Sequence, residues 1–289
     1  MKDITNSEEI IDILFYFIIK NFNNFDHHGS KWWWDTEFGG SWSPFVETCF
    51  MLEAMKYEKR YKIRSCSTHD NINKYVERFF RKEFGDRYEI GKPYSKYPCR
   101  CFDVSWIEQD NSFFLVLEHS EDSPSESNDK GQKEIERIKS EINYSNDEDK
   151  DVEGSTAINQ LLAIRDEINK LKDCKSHFKI LISRPHRFDK MKGIIEQKPS
   201  YYNSIEYFKK RIEEDLKKDS SSFNNDEKWI IILIVPDPGY PYSKADKIIF
   251  HCYEWKGEEL AVIDGENQKY IIPIKKESNK MVINNNRIN

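Results

Sequence analysis

The chain has 289 residues, a formal net charge of −6 and 33% charged residues. An acidic balance argues against a protein whose whole surface coats nucleic acid, while a local basic groove stays compatible with it. No apolar run approaches the roughly 18 residues of a membrane span. Acidic residues precede the apolar stretch at 10–19, which is unlike a signal peptide. We therefore expect a cytoplasmic protein without membrane contact.

The first third of the chain is predicted to be helical. Apolar periodicity indicates three helices, over 7–22, 43–62 and 70–84. Asn6 or Ser7 can cap the first of them. We expect residues 1–69 to form an N-terminal helical region that packs on a core at 70–276.

The pattern then changes to short strands with intervening helices. We predict a meander of three strands, at 88–94, 100–107 and 112–119. An acidic, flexible insertion follows at about 121–154. Further elements are a helix to 172, a strand at 178–183, a helix at 203–218, a strand at 229–235 and an antiparallel set at 247–255, 259–263 and 269–274. The tail at 277–289 is expected to be disordered. This order predicts an α/β fold with α+β character, a central mixed sheet with flanking helices.

Two carboxylates in the predicted hairpin carry the chemistry. A two-residue turn at Asp110-Asn111 pairs Gln109 with Ser112 and places Asp103 opposite Glu118, with β-carbons about 5 Å apart. Two such carboxylates repel each other unless one is protonated or a cation lies between them. A hard divalent cation such as Mg²⁺ or Mn²⁺ suits these oxygen ligands. A three-residue turn would instead shift the pairing and separate the two groups onto opposite faces.

This arrangement resembles the PD-(D/E)XK nuclease superfamily, over roughly residues 70–183 and the strand at 229–235. The resemblance implies a restriction-endonuclease-like core in which Asp103 and Glu118 hold Mg²⁺ or Mn²⁺. In the nuclease hypothesis, the backbone carbonyl of His119 is a further metal ligand. The implied activity is hydrolysis of DNA phosphodiester bonds.

One residue departs from the family pattern. The family has a catalytic Lys two residues after the acidic residue, and this chain has Ser120 there. A serine cannot supply the positive charge that orients a nucleophilic water, so Lys133 or Lys179 are alternative sources. The resemblance also implies a Glu from an early helix, which matches Glu77 better than Glu47.

Three hypotheses follow. The first is a metal-dependent nuclease that acts on DNA through the residues above, with a homodimer as one assembly state we consider. The second is a nuclease-like fold without catalysis that serves as a nucleic-acid-binding or protein-interaction module, which Ser120 and the acidic charge favour. The third is an unrelated α+β protein, in which Asp103 and Glu118 point to different faces.

Overall fold

The fold is known from a computed structural model. It describes residues 4–26, 62–66, 88–91, 102–120, 136–137, 152–183, 185, 201–218, 226–237, 246–263, 270–277 and 280–283. The helices in these ranges are α1 Ser7–Asp26, α2 Val152–Lys172 and α3 Tyr201–Lys217. The strands are β1 Lys62–Cys66, β2 Tyr88–Gly91, β3 Val104–Ile107, β4 Phe113–Ser120, β5 Ser176–Ser183, β6 Lys228–Asp237, β7 Lys247–Trp255, β8 Leu260–Val262, β9 Ile271–Glu277 and β10 Lys280–Ile283.

All ten of these strands belong to one mixed sheet, which confirms the predicted α/β class. The order across the sheet is β10-β9-β7-β6-β5-β4-β3-β1-β2, and β8 pairs with β7. β4, β5 and β6 run parallel, while β3 and β7 flank them in antiparallel orientation. Parallel neighbours need crossover connections, and α2 and α3 lie in the chain between these strands. The centre of the sheet is therefore a β-α-β-α-β unit.

Two features differ from the expected strand order. The prediction of a three-stranded meander was wrong, because β1 lies between β2 and β3. β1 begins at Lys62, where a helix was expected to end. β1 pairs in parallel with β2 and antiparallel with β3. In addition, β10 forms within the tail that was expected to be disordered, and it pairs with β9.

Both faces of the central sheet are covered. On one face, α2 and α3 bury an apolar stripe against the strands; its members include Ile164, Ile168, Phe208, Ile212, Val116, Leu181 and Ile231. On the other face, Phe15 of α1 packs edge-to-face against Phe250 and Tyr270, with ring centroids 5.5 and 5.3 Å apart. Neighbouring side chains alternate between faces, which places Phe250 opposite the α2–α3 layer. Burial of these apolar surfaces supplies the main driving force for folding.

The start of α1 is set by its cap. Asn6 Oδ1 accepts the backbone N–H of Glu9 at 2.9 Å, which satisfies one of the unpaired donors of the first turn. Of the two expected capping residues, Asn6 takes the role. In the part of the chain that the structure describes, no helix is long and apolar enough to cross a membrane.

Candidate active site

Asp103 and Glu118 meet at the open end of the β3–β4 hairpin. The antiparallel ladder pairs Val104 with Leu117, so the next position along it opposes Asp103 to Glu118. The charge of Asp103 also raises the pKa of Glu118, as expected for two carboxyl groups that lie close together. The predicted neighbourhood of the two acidic residues is therefore present, and the hypothesis that they point to different faces does not fit this structure.

The hairpin reaches that pairing through a different turn from the expected one. Glu108 donates its N–H to Ser112 O at 2.9 Å, and Asn111 donates its N–H to Glu108 O at 3.0 Å. The loop therefore has three residues, and Asn111 adopts a left-handed conformation with φ 68°. The prediction of a two-residue turn was wrong.

A β-bulge compensates for the longer loop. Ile107 pairs with Phe113 but Trp106 pairs with Leu115, so Phe114 is an extra residue in β4. A bulge adds one residue to one strand only. The shift caused by the loop is thus cancelled before the ladder reaches Asp103.

The Asp103 carboxylate is fixed by the neighbouring strand. Its Oδ2 accepts the backbone N–H of His119 at 2.7 Å. Burial raises the pKa of Asp103 from 3.8 to about 6, while the charge of Lys170 and the His119 hydrogen bond oppose that rise. The group is thus oriented by β4 and is costly to ionise in its surroundings.

Helix α2 brings two further charges to the pair. Lys170 Nζ lies 2.5 Å from Glu118 Oε1, and 3.5 Å from Glu167 Oε2 on the preceding helical turn. The Glu118 side chain is 1% exposed and that of Lys170 is 20% exposed. We call Asp103, Glu118, Glu167 and Lys170 the carboxylate cluster.

The pKa shifts in the carboxylate cluster follow from its burial and its charge. Burial raises the pKa of Glu118 well above 4.5, and the charges of Asp103 and Glu167 raise it further, against the lowering effect of Lys170. Burial lowers the pKa of Lys170, but the charges of Glu118, Glu167 and Asp103 outweigh this, so its pKa lies above the usual 10.5. Lys170 therefore stays protonated at neutral pH.

The carboxylate cluster contains more acidic groups than basic ones. Three carboxyls face one ammonium group, so the cluster either keeps protons on Asp103 and Glu118 or takes up another cation. The atoms of Asp103, Glu118 and Glu167 that can bind a metal are all carboxylate oxygens, which suit Mg²⁺ or Mn²⁺ better than softer metals. Among the described residues, however, no three His, Cys, Asp or Glu side chains are already arranged to hold a metal ion. In this structure the cation that lies against Glu118 is the Lys170 ammonium.

Ser120 and His119 are both buried next to this cluster. Ser120 lies two residues beyond Glu118 and on the same face of β4. Its Oγ has no hydrogen-bond partner among the described residues. His119 contributes its N–H to Asp103, and alternation directs its side chain to the opposite face. The role of the His119 carbonyl as a metal ligand stays a prediction.

Of the lysines considered as substitutes, Lys179 is engaged elsewhere. Its Nζ lies 2.8 Å from Glu227 Oε2 and 4.8 Å from the Trp229 ring centroid. Lys133, Glu77 and Glu47 lie outside the described residues.

Among the described residues, the lysine nearest to the acidic pair is Lys170. Neither Lys170 nor Glu167 was predicted. The sequence did contain a signal for them. Glu167 lies three residues after Ile164 and Lys170 lies two residues after Ile168, beside the buried stripe of α2. A helix that packs on β4 through this stripe therefore brings both residues to the edge of the contact between helix and strand. Which strand the helix covers was the missing information.

Comparisons of this chain with family models, with curated proteins and with solved structures find no match. The assignment of a function therefore depends on the geometry of the carboxylate cluster.

Proposed function

We propose that this protein is a metal-dependent nuclease that hydrolyses DNA phosphodiester bonds. One observation carries the proposal: Asp103, just before β3, lies opposite Glu118 of β4, and a lysine ammonium lies against Glu118. The order of two antiparallel strands, a helix and a parallel strand supports it, because the resemblance to the PD-(D/E)XK superfamily implies the same order. DNA as the partner, a cytoplasmic location and a homodimer belong to this proposal.

Asp103 and Glu118 would hold the metal through carboxylate oxygens. A bound Mg²⁺ or Mn²⁺ supplies an activated water and charge stabilisation for phosphoryl transfer. The N–H of His119 holds Asp103 in a single orientation. Because Glu118 is almost fully buried, the site excludes bulk water on that side, which strengthens electrostatic interactions there.

In this proposal, Lys170 has the role of the family's catalytic lysine, which Ser120 cannot supply because it carries no positive charge. Its raised pKa keeps the ammonium charged, and its partial exposure leaves a route to an incoming phosphate. The Phe102 ring centroid lies 5.8 Å from Nζ, which limits the directions that the ammonium can take. We infer that Lys170 places positive charge beside the scissile phosphate.

A plasmid-nicking assay with Mg²⁺ or Mn²⁺ tests the proposal. Asp103→Ala and Glu118→Ala are each expected to lose at least about 100-fold in rate, since metal-assisted charge stabilisation supplies several kcal/mol. Asp166→Ala is the matched control, because this acidic residue is exposed on α2 beside Glu167. Equal activity in all four proteins would indicate a contaminating nuclease and sink the metal mechanism.

A second candidate function is a binding or interaction module on the same fold. The observation that favours it is the Lys170–Glu118 ion pair, which already gives Glu118 a counter-charge in the absence of metal. If the wild-type protein nicks no DNA with either ion, but retards labelled DNA in a gel-shift assay, this function replaces the first. Light scattering on the same preparation distinguishes a monomer from a homodimer.

A further inference from the structure

Three carboxylates surround the single ammonium group of Lys170, which indicates a role for this lysine in the metal-free protein. We propose that Glu167 is a third ligand of the cation site, and that Lys170 is a built-in occupant which withdraws when a divalent cation binds. This inference rests on the proposed function and deepens it, because it makes one residue both a competitor of the metal and a helper of the reaction.

The position of the Lys170 ammonium marks where a cation is held. It lies 2.5 Å from a Glu118 oxygen and 3.5 Å from a Glu167 oxygen. Asp103 adds its charge from the other strand of the hairpin. With the ammonium in place, these three carboxylates are not arranged to hold a metal ion, so a divalent ion would have to displace Lys170 and draw them together. It would gain more from the three carboxylates than a single positive charge does.

A second observation at the same place is the hydroxyl of Ser120. This side chain is 2% exposed, and its Oγ has no hydrogen-bond partner in the described part of the chain. It lies on the Glu118 face of β4, about 7 Å further along the strand. Buried hydroxyls normally have a partner, and a water bound to the cation would give Ser120 one.

Helix α2 carries both the proposed metal ligand, Glu167, and the cation that competes with the metal, Lys170. Glu167 and Lys170 are three residues apart, so they are neighbours on one side of the helix. Lys170 has a long side chain that is partly exposed, whereas Glu118 is fixed within the sheet. The ammonium can therefore move toward solvent, or toward a substrate phosphate, without a change in the backbone.

The test measures Mn²⁺ binding to metal-free protein by calorimetry and by Mn²⁺ electron paramagnetic resonance. Lys170→Met is expected to bind Mn²⁺ at least about tenfold more tightly than wild type, because a competing positive charge is removed. Glu167→Gln is expected to bind at least about tenfold more weakly. Lys170→Met is also expected to cut DNA more slowly, so affinity and rate change in opposite directions.

Matched controls are Lys175→Met, an exposed lysine beyond the end of α2, and Asp166→Asn. Both should bind Mn²⁺ like wild type. Lys170→Arg keeps the charge and should keep wild-type affinity, which provides a second measurement if Lys170→Met fails to fold by circular dichroism. Unchanged or weaker binding in Lys170→Met, or unchanged binding in Glu167→Gln, would overturn the inference.

The two proposals fail in different ways. If the variants change Mn²⁺ affinity as expected but wild type cuts no DNA, the nuclease function fails and the cation site stands. If wild type cuts DNA but Glu167→Gln binds Mn²⁺ normally, the nuclease function stands and the role of Glu167 is wrong.

Discussion

The backbone N–H of His119 donates to Asp103 Oδ2 at 2.7 Å, so the residue that follows Glu118 fixes the acid that opposes it. This bond ties the residue just before β3 to β4. The hairpin thereby positions both acids with its own backbone.

Asp103→Asn is expected to stabilise the protein at neutral pH. The folded-state pKa of Asp103 is raised from 3.8 to about 6, so the folded protein binds this proton more tightly than the unfolded chain does. Stability is therefore lost as the pH rises between these two values, and ionised Asp103 disfavours the fold above them. Urea unfolding at pH 7 should show a gain of about 1–3 kcal/mol in the Asp103→Asn variant, and a flatter pH profile below pH 6. A loss of stability at pH 7 would contradict this.

The buried Lys179–Glu227 pair gives a prediction away from the carboxylate cluster. Lys179 is 1% exposed and Glu227 is 7% exposed, so Lys179→Met leaves a carboxylate without its partner. We expect a loss of about 3–5 kcal/mol in the free energy of unfolding. The double variant Lys179→Met with Glu227→Gln should recover much of that loss. Denaturant titration followed by circular dichroism measures both variants, and equal losses in the single and double variants would argue against the pair.

The turn residue Asn111 has φ 68°, which an asparagine tolerates better than most side chains. Asn111→Ala is expected to cost about 1 kcal/mol, since alanine in a left-handed conformation is strained, whereas Asn111→Gly should be close to neutral. Thermal unfolding of the two variants compares them directly. The opposite ranking would mean that the side chain of Asn111, rather than its backbone, sets the turn.

The Tyr270 hydroxyl donates to Asp12 Oδ1 at 2.8 Å and joins α1 to the residue before β9. Tyr270→Phe is expected to cost about 1 kcal/mol, the usual contribution of such a bond. Tyr16→Phe is the control, because Tyr16 is 59% exposed on the same helix. Hydrogen exchange of the α1 amides should accelerate in Tyr270→Phe and stay unchanged in the control. Unchanged exchange in both would mean that apolar packing alone holds α1.

The β3–β4 hairpin shows how much of the candidate site can be predicted from local sequence patterns. The predicted opposition of Asp103 to Glu118 is present, but the prediction depended on a two-residue turn that the hairpin does not have. The sequence did not reveal that Phe114 is an extra residue, because a bulge leaves no clear trace in the alternation of apolar residues. Two errors of one residue, in the loop and in the ladder, cancelled each other.

Non-local pairing is where the predictions failed. The strand Lys62–Cys66 pairs only with strands more than 20 positions away in the chain. Such a non-local pairing leaves no turn signal in the sequence. The central strands were easier, because their long apolar runs predict burial on both faces. Lys170 was missed for the same reason as the strand order: its role depends on which strand α2 covers.

The ion pair between Lys170 and Glu118 has a consequence for handling the protein. A site whose acids required a bound ion would make folding depend on the ion supply, as in small zinc domains. Here a side chain of the chain itself is the counter-ion for Glu118. We therefore expect the fold to form without added metal and to survive chelators during purification. Under the proposed function, the ion would serve the reaction and would not be a structural component.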